Sequence, residues 1–398
     1  MIKISARDYA AAMSMTFPSA LAPVLPLAPA ARAPRAHWPV PILGVPLDPL
    51  TIDEALQRIA EMVASGEPHY VVTPNVDILV QGRRNPELHR ILCEADLVLC
   101  DGQPLVWASK LLGHALPERV AGSDLAPRLI AQAERMGHRI FLLGASPESN
   151  AQAAARLQKN HPRLQVAGYY SPPFRPLDQM DHEEIICRVR AAEPDILFVS
   201  FGCPKQEQWI AMHYRQLGVP VCLGVGATID FLAGRVPRAP LWMRRSGLEW
   251  TYRLMQEPRR LFRRYLNDLL CFGPDLLAQG YAHVAGTWHR RGAVEKIAEG
   301  PAGVELRATG SLDRDLLEQQ QQALAPLAEG RCDCRLDLTN INFIDDYAAA
   351  ALTVWHRRLR RAGRRLVVVA GADRALRLLH RACLDHLEIH RPAPGLRA

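Results

Sequence analysis

Short apolar runs alternate with amphipathic stretches over most of the chain. The runs have the length of strands, and the stretches between them repeat apolar residues with a helical period. The predicted strands are Tyr70–Thr73, Leu97–Cys100, Arg139–Leu143, Val166–Tyr170, Ile196–Phe201 and Val221–Val225. The predicted helices are Thr51–Ala64, Pro86–Glu94, Pro104–Leu112, Ser123–Met136, Pro147–Lys159, Asp181–Ala192 and Pro204–Leu217. Because strands that are apolar on both faces are typical of parallel sheets covered by helices, the pattern predicts an α/β fold with a mostly parallel sheet and helices on both faces.

A second, smaller α/β pattern follows towards the C-terminus. Its predicted strands are 304–310, 334–338 and 365–370, and its predicted helices are 312–327, 347–361 and 373–383. The composition then divides the chain into five parts. They are an Ala/Pro-rich leader at 1–38 that we expect to be disordered, a core at 39–240, a basic amphipathic appendage at 241–273, a linker at 274–302 and the small α/β domain at 303–398.

Polar residues follow the first two predicted strands of the core. Thr73 and Asn75 come after one strand, and Asp101 comes directly after the next. Since ligands bind outside the carboxyl ends of parallel strands, these three residues are the first candidates for chemistry. The alternative is that Pro74 and Gly102 mark turns and that the polar residues cap the helices that follow.

Glycines and polar residues also end the later strands. Gly144 precedes Ser146 at a strand-to-helix turn, where helical N–H groups could hold an anion. Lys205 and Gln206 stand at the start of a helix, and Gly226 allows a ligand to approach the backbone closely. Each of these turns could instead be a simple connection with solvated side chains.

Positive charge is concentrated in one segment. Nine arginines and two glutamates lie between Arg235 and Arg264, so this segment carries a charge equal to the net +7 of the whole chain. Tryptophan, leucine and phenylalanine are interleaved with the arginines. The segment could bind nucleic acid, form a solvated helix face or lie on an anionic membrane surface.

The cysteines and the hydropathy exclude several classes of protein. The nine cysteines include no C-x-x-C pair and no zinc-ligand spacing, which indicates reduced thiols in a cytoplasmic protein. No run approaches the roughly 20 apolar residues of a membrane span. We therefore expect a soluble or peripheral protein.

Seven blocks in the first 270 residues carry a family resemblance. They are TPN at 73–75, CDG at 100–102, ERVAGSD at 118–124, FLLG at 141–144, FGCPKQEQW at 201–209, GVGATIDFLAG at 224–234 and the arginine-rich run at 238–265. In this order and spacing the chain resembles the WecG/TagA/CpsF glycosyltransferases over about residues 42–272. The resemblance implies a Rossmann-like core.

The resemblance also implies a reaction and a set of site residues. Members of the family transfer a sugar from a UDP-sugar to a polyprenyl-pyrophosphate-linked acceptor, with inversion and without a metal or other cofactor, on the inner face of the cytoplasmic membrane. Asp101 matches the general base, and Thr73 and Asn75 match residues beside it. The residues that match further substrate-binding positions are Arg119, Gln206, Asp230, Arg253, Arg260 and Arg263. No D-x-D motif typical of metal-using transferases occurs between residues 39 and 302, and the family resemblance suggests self-association.

The C-terminal domain resembles STAS domains over residues 303–390. In that family a serine or threonine of a D-S-S-G turn is phosphorylated, whereas this chain has Asp345-Asp346-Tyr347-Ala348. The phosphorylation switch is therefore expected to be lost. Asp346 could mimic a permanent negative charge, or the domain could dock a protein partner.

Together these features predict an inverting, metal-independent glycosyltransferase of cell-surface polysaccharide assembly. Asp101 is its predicted base, the loops with Gly144, Lys205 and Gly226 cradle the UDP-sugar, and the basic segment meets anionic lipid rather than nucleic acid. The donor sugar stays open between N-acetylmannosamine, its uronic acid and glucose. The alternative is a non-catalytic nucleotide-sugar sensor that signals through the STAS-like domain.

Overall fold

The structure is a computed structural model that describes residues 38–245, 247–256, 258–286, 292–300, 303–371, 373–382, 384 and 386–391. The strands are β1 (Val40–Ile42), β2 (Val45–Leu47), β3 (His69–Val72), β4 (Leu97–Val98), β5 (Arg139–Gly144), β6 (Gln165–Tyr170), β7 (Ile196–Ser200), β8 (Val221–Gly224), β9 (Ala293–Gly300), β10 (Gly303–Leu312), β11 (Cys334–Ile344), β12 (Leu366–Val369) and β13 (Glu388–His390). The helices are α1 (Ile52–Ser65), α2 (Val76–Arg84), α3 (Pro86–Glu94), α4 (Gln103–Leu111), α5 (Gly122–Met136), α6 (Pro147–Asn160), α7 (His182–Ala192), α8 (Lys205–Leu217), α9 (Thr228–Ala233), α10 (Leu241–Arg245), α11 (Glu249–Gln256), α12 (Pro258–Gly286), α13 (Arg314–Gln319), α14 (Gln321–Glu329), α15 (Asp346–Arg361) and α16 (Asp373–Arg381).

The first domain is built on a six-stranded sheet with the order β4-β3-β8-β7-β5-β6. Every pairing in this sheet is parallel. Strands β7 and β8 lie in its interior and are buried along almost their whole length, which explains their continuous apolar sequences. The predicted α/β fold with a parallel sheet is confirmed.

Two apolar layers cover the sheet. One face packs against α1, α5, α6 and α9, and its core contains Ile59, Leu129 and Phe198. The other face packs against α2, α3, α7 and α8, and its core contains the fully buried Trp209. Helix α1 begins with the predicted capping box, in which the Thr51 side chain accepts from the Glu54 N–H and the Glu54 side chain reaches back.

The direction in which helices leave the sheet creates two crevices at its carboxyl edge. Strand β3 runs into α2 on one face, whereas its neighbour β8 runs into α9 on the other. The neighbours β7 and β5 likewise lead to α8 and α6 on opposite faces. Adjacent strands whose connections diverge in this way leave room for a ligand between them.

The C-terminal domain, residues Ala293–His390, holds a separate five-stranded sheet with the order β13-β12-β11-β10-β9. Strands β10 to β13 pair in parallel, and β9 pairs antiparallel with β10. Helix α15 buries one face on this sheet through Ala351, Leu352 and Leu359. The predicted small α/β pattern is therefore present, with an additional strand at each edge.

Several elements differ from the expectations. The β1–β2 hairpin and α2 were not predicted, because three-residue strands with a proline in each and a nine-residue helix with Gly82 give weak signals. The predicted linker at 274–302 contains the end of α12 and all of β9. The predicted helix at 312–327 is divided at Gln320 into α13 and α14.

The predicted leader at 1–38 lies outside the described residues except for Trp38. That residue packs on the C-terminal domain, with ring centroids 5.9 Å from Tyr347 and 5.8 Å from Trp355. Trp38 thus belongs to the folded part of the chain.

Candidate active site

The predicted catalytic residues meet at the ends of β3 and β4. The Asp101 N–H donates a hydrogen bond of 3.0 Å to the Pro74 carbonyl, which ties the two strand ends together. Asn75 lies beside Gly102, since a Cβ added at Gly102 would stand 3.9 Å from the Asn75 Cβ. The structure therefore brings Asp101 and Asn75 to one edge of the sheet.

Thr73 and Asn75 also have local roles. A Cβ added at Gly122, the first residue of α5, would lie 3.3 Å from Thr73 Oγ1, so Thr73 faces the start of that helix. Asn75 is the N-cap of α2, and its Oδ1 accepts from the Ile78 N–H at 3.1 Å. The capping alternative thus applies to Asn75, whose amide nitrogen makes no hydrogen bond within the described residues.

The environment of Asp101 suits a proton acceptor. Its side chain makes no hydrogen bond or ion pair within the described residues, and it is partly buried. Burial raises the pKa of Asp101 to about 6, against the lowering effect of Arg119 and Arg253. Glu249 adds to the rise. A carboxylate with this pKa is ionised at neutral pH and is a stronger base than an exposed one.

Four arginines surround two carboxylates next to Asp101. Glu249 is buried and lies 3.0 Å from Arg119, 3.3 Å from Arg253 and 3.6 Å from Arg238. Asp124, in the first turn of α5, lies 2.5 Å from Arg119, 2.9 Å from Arg238 and 3.3 Å from Arg244. We call this group the arginine cluster: Arg119, Arg238, Arg244, Arg253, Asp124 and Glu249.

The arginine cluster joins the appendage to the core. Burial raises the pKa of Glu249, but hydrogen bonding by Arg119 and the charges of Arg253 and Arg238 outweigh it, so the pKa lies below its usual value. Arg238 and Arg253 also lie over the Phe231 ring, with guanidinium carbons 5.8 Å and 5.4 Å from its centroid. The predicted site residues Arg119 and Arg253 therefore come together, although 133 positions separate them in the sequence.

Sequence reasoning missed the two acids that organise this cluster. In the sequence, Glu249 stands out only as one of two negative charges in a basic segment. Asp124 stands out only as the last residue of the ERVAGSD block. An acid within an arginine-rich segment is the sequence signal that could have identified Glu249. Arginines that become buried need an opposite charge, and such an acid can supply it.

The glycine turns of β5 and β7 lie in the second crevice. Gly144 has a φ of +94°, and an added Cβ would stand 2.3 Å from the Ser200 carbonyl oxygen. Only glycine allows the two strand ends to approach so closely. Ser146 caps α6, and Arg235 donates to its Oγ at 3.0 Å.

Asp230 reaches this crevice from the β8 side. Its Oδ1 accepts from Ser149 Oγ at 2.6 Å, which links α9 to the first turn of α6. The hydroxyl groups of Ser146 and Ser149 and the Arg235 guanidinium form a small polar patch here. This is where the structure places the predicted nucleotide-side residue Asp230.

Gln206 supports a loop from a buried position. Its side chain is buried, and its Oε1 accepts from the Gly226 N–H at 3.1 Å. Its Nε2 donates to Glu207 at 2.9 Å. Gly226, with a φ of +52°, is thereby held in place beside Ser200, whose hydroxyl donates to the Gly226 carbonyl.

Lys205 and Arg263 lie elsewhere. The Lys205 ammonium donates to the Arg175 carbonyl at 3.1 Å and lies 4.5 Å from the Phe174 ring centroid. Arg263 is exposed on α12, where it lines an apolar depression and not the site around Asp101. The side chain of Arg260 lies outside the described part of the structure.

The residues described include no group of three or more His, Cys, Asp or Glu side chains that could hold a metal ion. The expected absence of a metal remains a prediction. What the residues near the strand ends do provide for an anion is the positive charge of arginines and the hydrogen-bond donors of backbone N–H groups.

Comparison with known proteins identifies both parts of the chain. The model of the glycosyl transferase WecG/TagA/CpsF family matches residues 40–285, and that of the Mlab, STAS domain family matches residues 296–390. Both resemblances predicted from the sequence are confirmed.

Two similar proteins carry the same name, N-acetylglucosaminyldiphosphoundecaprenol N-acetyl-beta-D-mannosaminyltransferase. The protein from Bacillus spizizenii is 34% identical over 198 residues, which cover 50% of this chain and 75% of that protein. The protein from Staphylococcus aureus strain MW2 is 30% identical over 226 residues, which cover 56% of this chain and 87% of that protein.

The raised pKa of Asp101 predicts a pH-dependent effect on stability. A carboxyl whose folded pKa exceeds its unfolded value favours folding at low pH, and this contribution is lost as pH rises from about 3.8 to about 6. We expect Asp101→Asn, which removes the charge, to raise the free energy of unfolding at about pH 8 by up to roughly 3 kcal/mol. At about pH 4 the gain should shrink to less than about 1 kcal/mol. Urea unfolding at both pH values measures the difference.

The exposed Asp178 provides the matched control, because Asp178→Asn should change stability little at either pH. Equal effects of Asp101→Asn at the two pH values would contradict the assigned environment of Asp101.

Proposed function

Because the chain belongs to the WecG/TagA/CpsF family of glycosyltransferases, we propose that it transfers a sugar from a UDP-sugar to a polyprenyl-diphosphate-linked acceptor, with inversion and without a metal ion. The similar proteins from Bacillus spizizenii and Staphylococcus aureus are named for an acceptor of this class. Membership of a transferase family favours catalysis over the alternative of a nucleotide-sugar sensor. The observation that carries the proposal is Asp101, which lies beside the arginine cluster and makes no hydrogen bond or ion pair within the described part of the chain.

Asp101 acts as the general base in this proposal. The acceptor sugar hydroxyl must lose a proton as it attacks the anomeric carbon, and inversion requires one direct displacement from the face opposite UDP. Asp101 makes no competing contact within the described residues, so its carboxylate can accept that proton. In this scheme the amide nitrogen of Asn75, which lies at the same edge of the sheet, orients the same hydroxyl.

The arginine cluster stabilises the leaving group. UDP departs with growing negative charge, which a metal-independent enzyme must balance with fixed cations and N–H donors. The cluster contains four arginines and two carboxylates, so it keeps a surplus of positive charge beside Asp101. Arg253 is the most exposed of the four arginines, with 43% of its side chain accessible, and is therefore the first choice for a direct diphosphate contact.

The crevice between β5 and β7 holds the nucleotide part of the donor in this scheme. Gly144 lets the two strand ends that form the crevice come together, and Gly226 leaves room for UDP to approach the main chain. The polar patch of Ser146, Ser149 and Arg235 offers donors at the start of α6. Gln206 acts indirectly by holding Gly226. Among the sugars left open by the sequence, the names of both similar proteins favour N-acetylmannosamine.

Helices α10 to α12 form the proposed membrane-facing surface. Large apolar side chains are exposed along them: Trp242, Trp250, Met255, Phe262, Leu266, Leu269, Leu270, Leu277 and Tyr281. Leu254, Phe262 and the exposed Arg259 and Arg263 line a depression of about 900 Å³. None of the helices among the described residues has the length and apolar content to span a bilayer. Shallow insertion of these helices beside anionic lipid would bring the lipid-linked acceptor to the site.

Asp101→Asn is the direct test of the proposed base. General base catalysis contributes roughly 100-fold to 10,000-fold, so we expect kcat to fall by at least about 100-fold. The assay measures UDP release from UDP-N-acetylmannosamine in the presence of N-acetylglucosaminyl-diphosphoundecaprenol. Asp178→Asn should retain the wild-type rate, and wild-type turnover by Asp101→Asn would refute the assignment of Asp101.

Charge reversal on α12 tests the membrane surface. Each basic residue near anionic lipid contributes about 1 kcal/mol, so the double variant Arg259→Glu/Arg263→Glu should weaken binding to phosphatidylglycerol vesicles by roughly 30-fold or more. Vesicle flotation measures the bound fraction. The control is Arg163→Glu/Arg190→Glu, which changes the net charge equally at two exposed arginines outside the appendage. Equal binding by both double variants would exclude this surface as the contact.

A further inference from the structure

The strand that leads to Asp101 is the outermost strand of its sheet. Strand β4 has only β3 beside it in the strand order, and Asp101 follows three residues after Val98. An edge strand has a row of N–H and C=O groups without a partner strand, so its position depends on what covers that edge. Here the cover comes from two other segments of the chain.

Asp48, directly after β2, supplies the missing hydrogen bonds. The Asp48 N–H donates to the Val98 carbonyl at 2.9 Å, and the Val98 N–H donates to Asp48 Oδ2 at 2.8 Å. One residue thus satisfies both backbone groups of Val98. The side-chain carboxylate of Asp48 takes the place of a strand partner.

Helix α15 of the C-terminal domain holds Asp48 from the other side. The Arg357 guanidinium lies 4.0 Å from Asp48 Oδ1 and also donates to the carbonyl of Ala95, two residues before β4. Only 12% of the Arg357 side chain is exposed. Burial raises the pKa of Asp48, and Arg357 is the strongest of the opposing influences. Without Arg357 the buried carboxylate would lack its main counter-charge.

Arg361 makes a second contact one turn further along α15. It forms an ion pair with Asp96, whose side chain is 3% exposed. Asp96 Oδ2 in turn accepts from the Tyr70 N–H at 2.9 Å, which connects the start of β4 to the start of β3. Both arginines therefore act on the amino-terminal end of the strand pair whose carboxyl ends carry Asp101 and Thr73.

Further contacts fix α15 in this orientation. Arg360 of α15 lies 3.4 Å from Glu94. Arg314 of α13, in the same domain, lies 2.7 Å from a ring nitrogen of His114. Trp38, which precedes β1, packs between Tyr347 and Trp355 of α15. The helix is thus held against the first domain along its length by apolar and charged contacts.

We propose that the C-terminal domain is a positioning part of the transferase, in which Arg357 and Arg361 hold the edge strand β4 through Asp48 and Asp96 and thereby place Asp101. Arg357 and Arg361 are positioning residues, since they act through other side chains and do not reach the reacting atoms. The partner of α15 on this account is the first domain of the same chain. This inference rests on the proposed role of Asp101.

The test compares Arg357→Ala with Arg357→Lys and Arg364→Ala in the full chain. Arg364 is an exposed arginine just beyond α15 whose side chain makes no hydrogen bond or ion pair within the described residues. Misplacing a catalytic group by an ångström can cost up to about 100-fold, so we expect Arg357→Ala to lower kcat by roughly tenfold or more. The KM for the UDP-sugar should change less than about twofold, because other strands carry the donor loops.

Two further readouts separate positioning from loss of folding. Arg357→Lys keeps a cation near Asp48 and should recover part of kcat. The fraction of Arg357→Ala that is unfolded at the assay temperature should be too small to explain its loss of kcat. Hydrogen exchange should show faster exchange of the Val98 amide in Arg357→Ala, since that amide depends on Asp48. Wild-type kcat in Arg357→Ala, or unchanged Val98 exchange, would overturn the inference.

Asp101→Asn distinguishes failure of this inference from failure of the proposed function. If Asp101→Asn is inactive while Arg357→Ala matches Arg364→Ala, the base stands and the positioning role is wrong. If Asp101→Asn is fully active, the assignment of Asp101 as the base fails and the positioning role fails with it.

Discussion

The site depends on the Asp101 carboxylate, which has no ion pair among the described residues and lies beside arginines whose charges are partly balanced by two other acids. Glu249 and Asp124 share the positive charges of the arginine cluster, whereas Asp101 lies next to these cations without an ion pair of its own within the described residues. Full pairing with an arginine would lower the pKa of Asp101 and weaken it as a base. Complete isolation of Asp101 from the arginines would raise its pKa further and leave its carboxyl protonated. The two acids of the arginine cluster set the balance between these limits.

This balance explains why the chain needs segments distant in sequence. The appendage contributes Glu249 and Arg253 from α11, the core contributes Arg119 and Asp124, and Phe231 supports two of the arginines through its ring. Helix α12 is fixed separately, since Arg264 pairs with Asp77 of α2 at 2.8 Å. One side of the appendage therefore completes the site, while the other carries exposed apolar residues and the arginines Arg259 and Arg263.

The sequence predicts those parts of the structure that follow from local patterns. Buried parallel strands are continuous apolar runs, so β5, β7 and β8 and the polar residues after β3 and β4 could be located directly. Strand β9 could not, because most of its side chains are exposed and its polar sequence resembles a linker. The pairing of Glu249 with Arg119, and that of Arg357 with Asp48, could not be predicted either. Both depend on tertiary packing between segments more than 100 positions apart, for which one sequence has no signal.

The pH dependence of kcat/KM tests the central claim most directly, because it reports ionisation of groups in the free enzyme. With Asp101 as base, kcat/KM should fall about tenfold per pH unit below about pH 6, where burial places its pKa. Glu249→Gln removes a negative charge that raises this pKa, so the fall should move to lower pH in that variant. A wild-type profile that stays flat down to about pH 5 would contradict the account.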